Sequence, residues 1–288
     1  MVAEAIDGEI VNADSRQVYR DIPVGTGAPS AAMMRRVPHH LFGFVDPCER
    51  YSAGAYVHDA LAAIDGIIAR GRMPIVVGGT GLYVEALAGT MPMDRPIADD
   101  EVRLRVRREA HLHPQHALHD WLRALSPASA ARVTDRDLYR TLRALESALM
   151  ARSGRALPAR DGAGAASHIS MPVAILRLAD GELRARIESR VRSMFDAGLV
   201  DEALAVRRRC ADAPALTGLG FAEALCWLDG EATRDDAIAA TVRRTIRYAK
   251  RQRTWFGRMR DAVEVDASST DVAAAAIARW ARERARAK

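Results

Sequence analysis

The sequence predicts an α/β protein, a parallel sheet flanked by helices and interrupted by an all-helical insertion. Three observations lead there. The short apolar runs EIVNA at 9–13 and Pro74 to Val77 each break into a polar or glycine-rich turn, which is how strands of a parallel sheet hand over to the next helix. From Asp94 to about Arg155 the strand signals vanish and the chain turns helical, arginine-rich and charged. An apolar run at 171–179, MPVAILRLA, then brings the sheet domain back. These shifts divide the chain into a core of 1–93 and 171–288 and an inserted helical domain of 94–170.

In order, AEAIDG reads as the last turn of an alanine-rich helix stopped by Gly8. A helix that runs into a strand implies an earlier strand, so the sequence reads as starting mid-fold. SAGAYVHDALAAIDGIIARGR carries Tyr56, Leu61, Ile64, Ile67 and Ile68 on an approximate helical stripe, with Ser52 as cap and Gly71 as stop. After Val77, Gly78-Gly79-Thr80 leads into a helix that starts near Leu82. In the insertion, Leu118, Trp121, Leu122 and Leu125 mark one helix, and Leu138, Leu142, Leu145 and Leu149 a second. Residues 159–170 are small and polar and suit a flexible loop. The remainder is helical, with a strand at Ala262 to Val265 and a charged tail.

A chain of 288 residues that is 49% hydrophobic can bury a substantial core. No apolar stretch nears the roughly 20 residues that span a bilayer, and the first ten residues lack the pattern of an export signal, so a cytoplasmic location without a membrane partner is expected. Cys48, Cys210 and Cys226 are far apart with no C-x-x-C spacing, suggesting neither a disulfide framework nor a zinc site. The net charge is +5, and its clustering makes polyanions plausible partners.

Ligands of open parallel sheets bind beyond the carboxyl ends of the strands, and two polar clusters sit at such ends. In the first, Asp14 has two competing roles: accepting a proton or hydrogen bond from a substrate amine or hydroxyl, or capping a turn. In the second, Gly78-Gly79-Thr80-Gly81 leaves backbone N–H groups open beside a hydroxyl, which suits phosphate or pyrophosphate; a ligand-free tight turn is the alternative. The run RRTIRYAKRQRTWFGRMR, 243 to 260, holds eight cations and no acid. On a helix, Thr245, Tyr248, Gln252 and Trp255 share one face while Arg243, Arg247, Lys250, Arg251 and Arg258 crowd the others, so cations flank a packing seam and point to phosphate contact. HLHPQHALH, 111 to 119, has four histidines, but Pro114 reads as the first residue of a helix and no carboxylate or thiol completes a ligand set.

Five stretches in order, NADSRQVYRDIPVGTGAP, PHHLFGFVDPCERYSAGAYVHDA, VVGGTGLYVEALAGT, LYRTLRALE and YAKRQRTWF, together resemble the bacterial tRNA dimethylallyltransferases across nearly the whole chain. The resemblance implies a fold like that of P-loop kinases with a helical insertion that grips the anticodon stem. It implies transfer of dimethylallyl from dimethylallyl diphosphate to N6 of adenosine-37, with Mg2+ as cofactor, a tRNA anticodon stem-loop as partner, and a monomer. By the same resemblance Asp14 is the general base or acceptor for N6, and Ser15, Arg16 and Gln17 help hold the flipped base. Thr80 matches the reaction-centre threonine, and Gly78, Gly79, Thr80, Arg247 and Arg251 are candidates for the diphosphate. Arg103 matches a tRNA-contacting position, as do Tyr139, Arg140, Thr141, Leu142 and Arg143. Thr217, Gly218, Leu219, Gly220, Phe221 and Ala222 occupy the place of a further tRNA-binding motif, in departed wording.

Two more departures stand out. The family opens with a strand and a G-P-T-A-S-G-K-T loop that holds pyrophosphate, and this sequence starts after it, so the resemblance implies that strand, lysine and anion nest to be missing. Ala179-Asp180-Gly181 stands where the family often has an arginine, with Arg184 and Arg186 as candidate substitutes. Two alternative functions follow from the same residues: a non-catalytic tRNA-binding remnant, or an isopentenyltransferase or kinase acting on free adenine nucleotides.

Overall fold

Strand β1, Gly8–Asn12, pairs in parallel with β2, His39–His40, on one side and with β3, Met73–Val77, on the other. The structure, a computed structural model, describes residues 1–89, 100–153, 171–259 and 261–286. The register sets Asn12 opposite Val77, so β1 and β3 end level and the segments that follow them emerge side by side. The two-residue β2 has no sequence signature, being too short for any periodicity to declare it.

Glu9 in the middle of β1 is only 3% exposed, and this buried carboxylate is fully paired. Arg70 donates to it from Nε at 3.2 Å and Nη2 at 2.6 Å, and His40 Nε2 lies 2.7 Å away. The Arg70 hydrogen bonds hold its pKa down to about 2 against the upward push of burial. Because the folded value lies below the ordinary 4.5, the stabilisation is complete above pH 4.5 and is lost as pH falls toward 2. Glu9→Gln is therefore expected to flatten the acid limb of stability across that window, measured by urea unfolding at a series of pH values; an unaltered limb would assign acid lability to other carboxylates.

The helix Ala53–Ala69 covers this sheet. Ser52 Oγ accepts the Ala55 N–H at 3.1 Å, as its capping position requires. Tyr56, Ala60, Ile64 and Ile67 form the buried face and pack with Val11, Tyr83, Val84 and Leu87. Ile68, by contrast, is 56% exposed, because the buried stripe is narrower than its apolar residues. Tyr56 stacks on Tyr83 with centroids 4.0 Å apart, which ties this helix to the one that follows β3, Gly81–Leu87. Gly71, at φ +72°, turns the chain between helix and β3.

The return to strand after the insertion differs from expectation. Ala174–Arg177 (β4) does not rejoin the first sheet; it pairs in parallel with Val263–Asp266 (β5) as a separate two-stranded sheet. An apolar run declares that a strand exists but not which edge it joins, and Leu176, 59% exposed, shows that this one is not enclosed on both faces. The helices Asp180–Asp196, Leu199–Arg209, Phe221–Leu228 and Arg234–Phe256 supply a second core, centred on Val191, Phe195, Leu199, Phe221 and Ile238. Each such fully buried apolar side chain contributes about 1.5–3 kcal/mol.

The chain divides into two compact units, Met1–Thr90 with Ile169–Lys288, and Met91–His168. In the second, the helices Asp100–Leu112, Gln115–Leu125, Pro127–Ala130 and Leu138–Arg152 enclose Val106, Leu118, Leu122, Ala130 and Leu145. Pro114 is the residue before the Gln115–Leu125 helix rather than its first residue. His119 is buried with Nε2 2.9 Å from the Val133 carbonyl, a packing role inside this unit. The loop expected at 159–170 lies outside the described residues. No helix among the described residues is long and apolar enough to cross a membrane.

Candidate active site

Asp14 is held by its neighbour two residues back. Asn12, fully buried at the end of β1, accepts the Asp14 N–H at Oδ1 (2.8 Å) and donates through Nδ2 to the carbonyls of Asp14 (3.1 Å) and Leu41 (2.9 Å). Leu41 adopts φ +63°, an unfavourable backbone for a side chain of its kind, and the Asn12 amide anchors its carbonyl. Asp14 Oδ1 accepts the Arg16 N–H at 2.7 Å and so caps the turn. Its second oxygen has no hydrogen-bond partner among the described residues, so one side chain can cap and still face a substrate.

Thr80 meets this turn directly. Its N–H donates to the Ala13 carbonyl at 3.1 Å, and its Oγ1 accepts the Ser15 N–H at 2.9 Å and donates to Ser15 Oγ at 3.2 Å. The glycines beside it are required by close approach: a Cβ on Gly78 would overlap the Ala13 backbone, one on Gly79 the Gln252 amide, and one on Gly81 the Trp255 indole. The loop is therefore built for contact with β1 and with the Arg234–Phe256 helix, which accounts for its glycines whether or not an anion is bound.

The basic helix presents the face expected of it. Tyr248 and Gln252 donate to the Gly79 carbonyl at 3.3 and 3.0 Å, and Trp255 lies on Gly81 with its indole N–H buried and without a partner among the described residues. Burial, reinforced by the negative charge of Asp14, pushes the Tyr248 phenol up, so that at neutral pH it remains a donor. The cations divide into two groups. Arg244 pairs with the buried Glu223 at 2.6 Å and Arg253 with Asp180 at 2.6 Å. Arg243, Arg247, Lys250 and Arg251 are exposed, and Arg251 lies over the Tyr248 ring at 5.6 Å from its centroid.

Arg16 and Gln17 brace the turn: Arg16 Nη1 donates to the Pro214 carbonyl at 3.1 Å, and Gln17 Nε2 donates to the carbonyls of Thr26 (3.2 Å) and Gly27 (3.0 Å). The Pro214–Thr217 turn that receives Arg16 leads straight into residues 218–222. There Phe221, 1% exposed, is packed in the core against Gly25 and Leu199 and Gly218 and Gly220 are buried, whereas Thr217 and Ala222 are exposed. In the helical unit, Tyr139 and Arg140 are exposed, Thr141 is buried, Leu142 and Arg103 are half-buried, and Arg143 donates to the buried Glu146 at 2.6 Å. Arg184 and Arg186 are engaged with Glu188 and Glu182 on their own helix, while Asp180 holds Arg253.

The structure thus brings together Asp14, Ser15 and Thr80 with Tyr248, and adds two residues that the sequence did not single out as site residues, Asn12 and Gln252. A polar side chain closing an apolar strand was the available signal for Asn12; for Gln252 it was its place on the seam of the basic helix.

Taken together, the fold and site define an α/β protein with a carboxylate and a hydroxyl at the ends of adjacent parallel strands, backed by a cationic helix. The model of the IPP transferase family matches residues 17–259, and the chain belongs to that family. Among its relatives, the tRNA dimethylallyltransferase of Halorhodospira halophila is 42% identical over 274 residues, 92% of this chain and 87% of that one. That of Anaeromyxobacter dehalogenans (strain 2CP-C) is 43% identical over 265 residues, 91% of this chain and 87% of the relative. Among solved structures, the full-length tRNA isopentenylpyrophosphate transferase of Bacillus halodurans superposes with a TM-score of 0.69 at 32% identity, covering 98% of this chain and 90% of that one. A eukaryotic dimethylallyltransferase acting on tRNA shares the fold, with a TM-score of 0.73 at 24% identity over 94% of this chain and 70% of its own.

Proposed function

We propose that this chain transfers a dimethylallyl group from dimethylallyl diphosphate to N6 of adenosine-37, beside the anticodon of tRNAs that read codons beginning with U. The observation that carries this reading is the meeting of Asp14, Ser15, Thr80 and Tyr248 beyond the ends of β1 and β3. The tRNA dimethylallyltransferases among its relatives support the choice of substrate.

The adenine leaves its stack and enters with its N6 edge toward Asp14. The bond between the allylic C1 and the diphosphate oxygen breaks, its electron pair leaving with pyrophosphate. The N6 lone pair forms the new bond to C1, and the Asp14 oxygen that does not cap Arg16 takes the N6 proton. Thr80 and the Gly78–Gly79 backbone approach the diphosphate, with the exposed Arg247 and Arg251 as countercharges. No cluster of three or more His, Cys, Asp or Glu that could cage a metal occurs among the described residues. The donor set suits a Mg2+ delivered by its diphosphate, with the Ser15 and Thr80 hydroxyls as nearby oxygen donors. When bound, the ion neutralises charge on the leaving group. Arg103, Tyr139 to Arg143 and Thr217 to Ala222 are assigned to the anticodon stem-loop, with Tyr139, Arg140, Thr217 and Ala222 reaching solvent. Phe221 and Thr141 serve it as buried supports. The protein acts as a cytoplasmic monomer.

The deciding experiment is transfer of labelled dimethylallyl to an unmodified tRNA, run with this chain and with a version carrying a strand and phosphate-binding loop ahead of Met1. Label at adenosine-37 with this chain upholds the reading; label with the extended version alone would uphold the chemistry but overturn transfer by this chain itself. Label on AMP but never on tRNA, or tRNA binding with no transfer by either, would replace it. Whether the basic helix meets RNA is separable: Arg247→Ala and Arg251→Ala are each expected to lower the slope of log affinity against log salt by about 1 if they touch RNA phosphates. An unchanged slope with a raised KM for the diphosphate would assign them to the small substrate.

A further inference from the structure

We propose that Gln252 is a positioning residue for the reaction centre, acting by holding the Gly79–Thr80 peptide plane; the inference rests on the functional reading above for its chemical meaning. The Gly79 carbonyl and the Thr80 N–H belong to one peptide group. On its oxygen side that group receives the Gln252 amide at 3.0 Å and the longer Tyr248 bond at 3.3 Å. On its nitrogen side it donates to the Ala13 carbonyl at 3.1 Å, at the end of β1. The plane is therefore clamped between a strand and a helix 173 residues further along the chain from Gly79.

The next atoms outward are those of the Thr80 side chain, whose hydroxyl sits between the Ser15 N–H and the Ser15 Oγ. Rotation of the clamped peptide would carry that hydroxyl away from Ser15 and from Asp14. Gly79 has no side chain because Gln252 occupies the space: a Cβ there would overlap its amide nitrogen. Gln252 also follows Arg251 directly and lies five residues after Arg247, so the helix that presents cations to an anion is the one that sets the Thr80 geometry. The residue touches no reacting atom in this arrangement; it acts through Gly79 and Thr80.

The test uses the full chain with Gln252→Ala, and with Gln252→Met, which keeps the side-chain volume without the donor and serves if the alanine variant folds poorly. Amide hydrogen exchange without substrate is expected to be about tenfold or more faster at Thr80 and Ser15 in both variants, with β1 itself unchanged. In the transfer assay kcat is expected to fall roughly 10–100-fold while KM for tRNA stays within about twofold, the pattern of a displaced group rather than of lost binding. Unaltered exchange at Thr80, or a purely raised KM, would overturn the assignment. Should the unsubstituted protein transfer nothing, exchange at Thr80 still decides the positioning role, and the failure belongs to the functional reading alone.

Discussion

Replacing Asp14 by alanine is expected to lower dimethylallyl transfer by about 10²–10⁴-fold, the range of a lost general base, while tRNA affinity stays within a few-fold. The separation of the two effects follows from the site. One carboxylate oxygen caps the Arg16 N–H and the other has no partner among the described residues, whereas the backbone of Asp14 is held by Asn12 and not by its own side chain. Loss of the carboxylate leaves the turn anchored by Asn12 and by the Ser15 contact to Thr80. Asp14→Asn sharpens the comparison, because an amide oxygen can still cap the turn but cannot take a proton at neutral pH. Equal losses in both variants, measured in single turnover, would locate the function in proton uptake. Full activity in the asparagine variant would reduce Asp14 to a turn former.

The second large effect is expected at Gly78. Its Cβ would overlap the carbonyl carbon and oxygen of Ala13, which are backbone atoms and cannot rotate aside. Gly78→Ala must therefore push the end of β1 from the loop after β3, the two segments that carry Asp14 and Thr80. Overpacking of this kind typically costs about 1–3 kcal/mol, and here the displacement falls on the hydrogen bonds from the Ala13 N–H to the Val77 carbonyl and from the Thr80 N–H to the Ala13 carbonyl. Chemical denaturation should show the stability loss. The transfer rate, measured under conditions where the variant is still fully folded, should fall by about 10²-fold as well. Retained activity with lowered stability would mean that the two strand ends tolerate separation.

Much of the fold was legible because local signals agreed. Ser52 declared its helix, Gly71 ended it, and the apolar runs at 9–13 and 74–77 became β1 and β3 with boundaries moved by a single residue. What stayed hidden were the pairings. Nothing near MPVAILRLA says that its partner is Val263–Asp266, since a strand's neighbour is chosen by tertiary packing. The site shows the same division. Asp14 and Thr80 each stood out by position, at strand ends, and by resemblance, yet their contact through Ser15 spans 65 residues and belongs to the register of β1 with β3. Asn12 closes an apolar strand and Gln252 lies on the helix seam, but what each holds is a backbone carbonyl, and carbonyls have no sequence signature. Phe221 shows the converse: within a stretch assigned to RNA by resemblance, its aromatic ring is a core anchor.

The unit that carries the site is discontinuous, Met1–Thr90 and Ile169–Lys288, with Met91–His168 in between. During synthesis the ribosome delivers Asp14 and Thr80 early, and then makes the whole helical unit before the Arg234–Phe256 helix emerges. Until then the Gly79 carbonyl has neither Tyr248 nor Gln252, the glycine loop lacks Trp255, and β4 waits for β5. Such long-range closures are the slow events of folding. The helical unit, with its own core and local contacts, can form while the first half of the other is still incomplete. A nascent chain stalled before residue 234 would thus already hold a folded helical unit together with Asp14 and Thr80, but not the Tyr248 and Gln252 contacts that fix the Gly79–Thr80 peptide.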